Sequence, residues 1–114
     1  MSKSVVTEYM EVCAMCGRTS ECIHHLIFGT AGRELSEKDG LKLPLCDDCH
    51  NMGEKLRRIH ENPAAEKLSK MLGQALWEKE KVLKDLSLED KKKIEAERKL
   101  ARKEFMKRYG KSYL

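Results

Sequence analysis

Four of the five cysteines fall in two pairs of the form Cys-x-x-Cys, Cys13 with Cys16 and Cys46 with Cys49. A two-residue gap lets one tight turn present both thiolates of a pair, and zinc takes four such soft ligands in a tetrahedron. Gly17, directly after the first pair, suits the sharp reversal of a zinc knuckle. The spacing therefore predicts a structural zinc site that closes a small fold.

Cys22 is left over from the two pairs. In a reducing compartment, an odd number of cysteines that includes two close pairs favours a metal site over disulfides. For Cys22 itself a buried small hydrophobe is the favoured role, and a surplus or fourth zinc ligand is the alternative.

All four histidines lie in one short region: His24, His25, His50 and His60. A neutral imidazole can bind a divalent metal, and an imidazole can accept a proton near neutral pH. Hydrolysis of a phosphodiester needs both, because water must be deprotonated and the phosphate charge neutralised. On a regular strand His24 and His25 point to opposite faces. They serve one site only if the pair ends its strand, where a bulge can re-aim a side chain.

His60 lies ten residues after His50. On an unbroken helix that is about 15 Å of rise, whereas two ligands of one ion each lie about 2 Å from it. Both can bind only if the chain breaks between them, and Gly53 is the expected place. If the helix continues, Glu54 at i+4 from His50 is the better ligand. His60 is favoured, and Glu54 stays as the alternative.

The string HHLIFGTAGRELSEKDGLKLPLCDDCHNMGEK, the later RIHENP and the ending EFMKRYGKSYL resemble small HNH endonucleases encoded by bacteriophages. The resemblance covers about residues 13–114. It implies an α+β fold in which residues 1–62 form a zinc-stapled ββα-metal (His-Me finger) core. Residues 63–114 would then be a C-terminal extension of two helices that packs on this core.

The resemblance also assigns roles to the histidines. It implies that His24, His50 and His60 bind one catalytic divalent ion, and that His25 is the general base that activates water. Magnesium or manganese is the expected ion, although imidazole ligands also suit nickel or zinc. An asparagine commonly orients the base in this family, and this sequence has Gly40 in its place. Another group, or a backbone carbonyl, must therefore orient His25.

The first region predicts three extended segments, VVTEYMEV, CIHHLIF and LKLPLC. Gly40 and Pro44 place loops around the last of them, and the stretch that contains Arg33 is expected to be a loop.

Two helices are predicted after this region. Asn62 and Pro63 suit the N-cap and first position of a helix over about 63–85. Its apolar residues recur at nearly helical spacing: Leu68, Met71, Leu72, Ala75, Leu76, Val82, Leu83 and Leu86. Leu76 and Trp77 are expected to pack on the zinc-bound core. A second helix begins at Ser87, with Asp90 as an acidic variant of the capping box, and runs to about Arg108 before Gly110.

The net charge of +4 comes from residues 85–114, which hold ten lysines and arginines against six acidic residues. This surplus hints at an acidic partner such as DNA. The candidate phosphate contacts are Arg33, in the expected loop after the histidine pair, and Arg57 and Arg58, which lie close to His60. No apolar run approaches the roughly 18 residues of a membrane span, so a soluble cytoplasmic protein is expected, in a bacterial host if the gene is phage-encoded.

Three functions fit these observations. The leading one is a metal-dependent DNA endonuclease of HNH type, in which His25 activates water. The chief alternative is a non-catalytic zinc module that binds DNA or a phage or replication protein, which the missing asparagine favours. A third is a structural adaptor in which residues 63–108 form a helical hairpin that makes a homodimer.

Overall fold

The computed structural model describes residues 3–85 and 88–114. The fold is mixed α/β, with one two-stranded antiparallel sheet and several helices. In chain order the elements are β1 (Cys22–His25), α1 (Thr30–Asp39), β2 (Lys42–Leu45), a π-helical segment (Asp48–Met52), α2 (Pro63–Lys84) and α3 (Leu88–Tyr109). The chain divides into two compact units, Met1–Trp77 and Glu78–Leu114.

The sheet pairs β1 with β2 so that Cys22 lies opposite Leu45 and His25 lies opposite Lys42. Two of the three predicted extended segments are therefore strands. Pro44 lies within β2 rather than in a loop, opposite Ile23. Proline is tolerated there because each strand of a two-stranded sheet is an edge strand.

Helix α1 connects the two strands, where the sequence suggests a loop. Ser36 ties it to the end of β1, because its hydroxyl donates to the Ile27 carbonyl at 2.7 Å and accepts from the Ile27 N–H at 3.2 Å. Gly40 ends the helix with φ of 75°, and the Leu41 N–H bonds back to the Ser36 carbonyl at 2.9 Å. This left-handed glycine is a common helix end. Arg33 is therefore a helical residue, and the prediction of a loop was wrong.

The segment VVTEYMEV is not a strand. The Ser4 hydroxyl accepts from the N–H groups of Val6 and Thr7 at 3.1 and 3.4 Å, so those donors serve a turn instead of a strand ladder. The only pairing near its end is a single bridge between Val12 and Thr19, within the described residues. Val6 is buried, and the segment contributes to the core through it.

Two small clusters form the core of the first unit. One combines three cysteines with Leu45 and Ile59, and the other combines Val6, Leu26 and Leu41. Leu43 of β2 packs against both clusters, so the sheet joins them.

Helix α2 has the predicted bounds, but its buried face is not the predicted one. Asn62 caps it, accepting from the Ala65 N–H at 3.4 Å. The buried residues of α2 are Ser69 and Gly73. The apolar residues expected to pack are largely exposed: Leu68, Met71, Leu72, Trp77 and Val82. Leu76 does pack against the Val6 cluster as predicted.

A close contact at Gly73 explains why α2 buries small residues and exposes large apolar ones. A Cβ there would lie 2.8 Å from Cγ1 of Ile27 and 3.2 Å from Cβ of Leu26. The helix approaches the end of β1 so closely that only small residues fit between them. The cost of about 1 kcal/mol for glycine in a helix is therefore offset by this contact.

Helix α3 ends as predicted, since Gly110 follows it with φ of 99°. The predicted N-cap, Ser87, lies outside the described residues. Within the second unit Arg98 of α3 contacts Glu80 of α2, with 3.1 Å between Nη2 and Oε1. In the described ranges, no helix is long and apolar enough to cross a membrane.

We expect Gly73→Val to lower the free energy of unfolding by about 1–3 kcal/mol, because overpacking a close contact costs that much. Urea denaturation of the zinc-loaded protein measures the change. Ala75→Val, at an exposed position of the same helix, is the matched control and reports only the small helix-propensity cost of valine. Equal losses in the two variants would contradict the close approach at residue 73.

Candidate metal centres

The four paired cysteines lie together, with their sulfur atoms all within 4.8 Å of one another. Cys13, Cys46 and Cys49 are buried and Cys16 is exposed. A tetrahedral zinc site with Zn–S distances near 2.3 Å has sulfur–sulfur edges of about 3.8 Å, and Cys16 Sγ lies 3.6 Å from Cys46 Sγ. These four cysteines are positioned to hold a structural metal such as zinc.

The knuckle turn and an arginine support this arrangement. Gly17 has φ of 80°, and its N–H donates to the Cys13 carbonyl at 2.9 Å. Arg18 Nε lies 3.4 Å from Cys16 Sγ. Hydrogen bonds from the side chain and the backbone of Arg18 lower the pKa of the Cys16 thiol to about 6. The thiolate is the form that binds metal. The Arg57 side chain bonds to Cys49.

Cys22 is outside the four-sulfur cluster. Its thiol donates to the Leu45 carbonyl at 3.3 Å, and burial raises its pKa to about 11. A half-buried, protonated thiol on a strand agrees with the favoured role of a small hydrophobe.

A second cluster contains His24, His50 and His60. One nitrogen of each ring lies within 4.8 Å of the others. The ring centroids of His24 are 5.3 Å from His50 and 5.1 Å from His60, and those of His50 and His60 are 4.6 Å apart. Glu54 is exposed and is not in the cluster, so His60 is the residue that the chain brings to His50.

The chain reverses at Gly53 to make this meeting. The π-helical segment that carries His50 ends there, and a Cβ on Gly53 would collide with the Asp48 carbonyl oxygen. The returning chain pairs with the segment that it left: the Ile59 N–H donates to the Cys49 carbonyl at 2.9 Å and the His60 N–H to the His50 carbonyl at 3.0 Å. The predicted break at Gly53 is confirmed.

Ser69 determines which nitrogen of His24 carries the proton. Its hydroxyl donates its one hydrogen to the Leu26 carbonyl at 2.7 Å. The 2.8 Å contact between Ser69 Oγ and His24 Nε2 must then use a hydrogen on Nε2. Nδ1 of His24 is left as a bare lone pair, and it is a buried polar atom without a hydrogen-bond partner in the described protein.

The other two rings face each other, with 3.0 Å between His50 Nε2 and His60 Nε2. The opposite nitrogen of His60, Nδ1, lies 3.8 Å from a carboxylate oxygen of Glu66. Burial, and after it the charge of His60, lowers the pKa of His24 to about 3. The same two causes lower the pKa of His50. Three imidazole rings that each bring one nitrogen to a common point fit a divalent transition-metal ion.

His25 is not in this cluster. Pairing is regular through the end of β1, so His24 and His25 lie on opposite faces of the sheet. His25 Nε2 lies 3.1 Å from Glu37 Oε1, and Lys42 Nζ donates to Glu37 Oε2 at 2.7 Å. The charge of His25 makes the smallest contribution to the lowered pKa of both His24 and His50.

The three candidate phosphate contacts differ in their surroundings. Arg33 is exposed on the first turns of α1, and Arg57 is exposed beside Cys49. The Arg58 side chain is only 15% exposed, and its guanidinium donates to the His60 carbonyl, the Gly53 carbonyl and Glu61. These hydrogen bonds therefore stabilise the chain reversal around Gly53.

Ser69 and Glu37 were missed from the sequence. Ser69 lies 45 residues after His24 and among apolar residues that suggested a different buried face. Glu37 is one of many acidic residues, and only the presence of α1 brings it to His25. The helical spacing of Ala65, Ser69 and Gly73 was the one available signal, a row of small residues at intervals of four.

Comparisons of this chain with known proteins found no match, either to a protein-family model, to a curated protein or to a solved structure.

Replacing Cys49 with serine should remove the structural metal, because one of four tetrahedral ligands is lost. We expect one zinc per chain in the wild type and far less in Cys49→Ser, measured by elemental analysis after dialysis. Cys22→Ser is the matched control and should keep its zinc. Loss of zinc in both variants, or in neither, would contradict the four-sulfur site.

Replacing Ser69 with alanine should weaken metal binding at the histidine cluster by about 10- to 100-fold, as is typical when the partner of a metal-binding histidine is removed. Titration of zinc-loaded protein with Co²⁺ or Ni²⁺, followed by absorbance, measures the affinity. His25→Ala is the control and should bind as the wild type does. Unchanged affinity in Ser69→Ala would show that Ser69 does not orient His24.

Proposed function

We propose that this protein is a metal-dependent endonuclease of HNH type that hydrolyses phosphodiester bonds of DNA. The observation that carries the proposal is the cluster of His24, His50 and His60, in which the buried Nδ1 of His24 has no hydrogen-bond partner among the described residues. A buried polar atom without a partner is costly unless a ligand satisfies it. The candidate base is His25, which is adjacent to His24 in sequence but lies on the opposite face of the sheet.

The HNH assignment draws on the resemblance of the sequence and on local architecture. Strands β1 and β2 would correspond to the ββ part of the core, and the π-helical segment with His50 to the start of its helix. Helix α1 between the strands departs from a simple hairpin. Gly40 departs from the expected asparagine, so the base would need a different orienting group.

The ligand set favours a transition-metal ion over magnesium. Among the described residues the cluster offers three imidazoles and no carboxylate. Imidazole suits manganese, nickel or zinc, whereas magnesium prefers oxygen ligands. Within the expected pair of magnesium and manganese, we therefore propose manganese, and nickel or zinc as further candidates.

The residues would divide the work as follows. His24, His50 and His60 would hold the divalent ion, which would supply charge neutralisation at the scissile phosphate. His25 would remove a proton from the attacking water. Exposed Arg33 and Arg57 would bind neighbouring phosphates. Arg58 is left out of this role because its hydrogens already bond to the protein.

The second candidate is a zinc module that binds DNA or a phage or replication protein without cleaving. The observation in its favour is at Gly40, where a Cβ would collide with the Lys3 carbonyl oxygen. A side chain at position 40 would displace the Lys3 backbone, so this position does not supply a group that orients a base. The basic surplus of residues 85–114 would serve either function.

The test is nicking of supercoiled plasmid by zinc-loaded protein with Mn²⁺, Ni²⁺ or Mg²⁺ supplied in turn. We expect nicking with Mn²⁺ or Ni²⁺, and a rate at least about 100-fold lower in His25→Ala, because general-base catalysis contributes about 10²–10⁴-fold. His60→Ala should lose the added metal as well as activity. Glu54→Gln, the alternative ligand position, is the matched control and should nick as the wild type does.

One outcome would contradict the proposed nuclease activity. If neither wild type nor variants nick duplex, branched or single-stranded DNA with any metal, yet all bind DNA, the zinc-module function replaces it. Retained zinc in every variant must be checked first, since loss of the knuckle would abolish activity for a trivial reason.

A further inference from the structure

Glu37 is held where the side chains of two strands converge. His25 and Lys42 are direct cross-strand partners, and such partners share one face of a sheet. Glu37, from α1, receives both: Oε1 lies 3.1 Å from His25 Nε2 and Oε2 lies 2.7 Å from Lys42 Nζ. Each carboxylate oxygen of Glu37 thus has its own partner.

This contact fixes the proton position on His25. The Lys42 side chain is only 7% exposed and its ammonium lies against Glu37, so Glu37 stays an ionised carboxylate; the hydrogen bonds from Lys42 and then His25 lower its pKa to about 2. An ionised carboxylate only accepts hydrogen bonds. His25 Nε2 must therefore carry a hydrogen, and in the neutral ring Nδ1 keeps the lone pair.

Gly40, the position at which the family's orienting asparagine is expected, cannot supply this contact to His25. A side chain at Gly40 would meet the Lys3 carbonyl oxygen, and the backbone there has φ of 75°. Glu37 lies three residues earlier, on the last turns of α1, and reaches His25 from that helix. The helix inserted between the strands thus brings an orienting group that the strands themselves lack.

We propose that Glu37, anchored by Lys42, is the positioning residue of His25: it holds the ring in the Nε2–H form so that Nδ1 is presented as the base. This inference rests on the proposed endonuclease function for its catalytic consequence. The hydrogen bond and the proton position stand apart from that function and can be measured without it.

The first measurement is the proton position on His25, read from long-range ¹H–¹⁵N NMR of the imidazole rings in zinc-loaded protein at one fixed pH. The wild type should show the hydrogen on Nε2. Glu37→Gln should show a mixture or the Nδ1–H form, because a glutamine amide can also donate to Nε2. Glu34→Gln makes the same charge change at an exposed position of α1 and should keep the wild-type pattern.

The second measurement is plasmid nicking under saturating metal. Glu37→Gln should lower kcat by about 10- to 100-fold, a part of the roughly 10²–10⁴-fold that a general base contributes. KM and the affinity for added metal should stay near the wild-type values, because the histidine cluster is untouched. Glu34→Gln should match the wild type in all three.

A double variant separates positioning from stability. Glu37→Gln leaves the buried Lys42 ammonium unpaired, which alone could loosen the fold. Glu37→Gln with Lys42→Met removes that charge, so thermal stability should recover while kcat does not. Recovery of kcat together with stability would overturn the positioning role, leaving an ion pair that only fastens α1.

The remaining outcomes are distinct from those of the proposed function. A wild-type pattern on His25 in Glu37→Gln, or an unchanged kcat, overturns the inference even if the protein is a nuclease. A wild type that cleaves nothing overturns the proposed function, and the inference that Nδ1 acts as a base falls with it. The NMR result then still decides whether Glu37 sets the proton position of His25.

Discussion

The four-sulfur cluster is the constraint from which the rest of the first unit is built. Of the buried apolar residues among those described, three are cysteines of this cluster, Cys13, Cys46 and Cys49. A core this small rarely supplies enough stabilisation by itself, and a structural metal is one of the usual remedies. Burial raises the pKa of the Cys49 thiol to about 12, so a bound cation is what would make a thiolate there favourable.

The histidine cluster depends on that constraint through the backbone. Cys49 and His50 are neighbours on the π-helical segment, and the returning chain bonds to both of their carbonyls. Fixing the sulfur of Cys49 therefore fixes where His50 and His60 can meet. His24 enters from the sheet, whose other strand leads directly into Cys46. The cysteine cluster thus supplies the scaffold on which the histidine cluster is assembled.

Local patterns in the sequence were sufficient for features with a short range. The cysteine pairs, the reversal at Gly53 and the bounds of α2 could all be predicted, because each rests on residues a few positions apart. The buried face of α2 could not, since hydrophobic spacing assumes that large apolar residues pack. Here the partner is the end of β1, and its closeness selects Ser69 and Gly73 instead. Helix α1 was missed because its glycines and polar residues resemble those of a loop.

The candidate site shows the same difference between short-range features and contacts across the fold. The histidines were identifiable by type, and the role of each remains a proposal that the nicking and binding experiments test. The groups that orient them were not identifiable, because Ser69 and Glu37 act across the fold on His24 and His25. A hydrogen bond between residues 45 positions apart leaves no periodicity for a single sequence to display.

That separation in sequence has a consequence for the order in which a newly made chain matures. Both cysteine pairs precede residue 50, so the knuckle can take up zinc while the ribosome is still translating. The Nε2–H of His24, in contrast, has its protein acceptor only after Ser69 has been made and α2 has docked on the end of β1. The hydrogen bond that orients His24 therefore forms only after both cysteine pairs have been made.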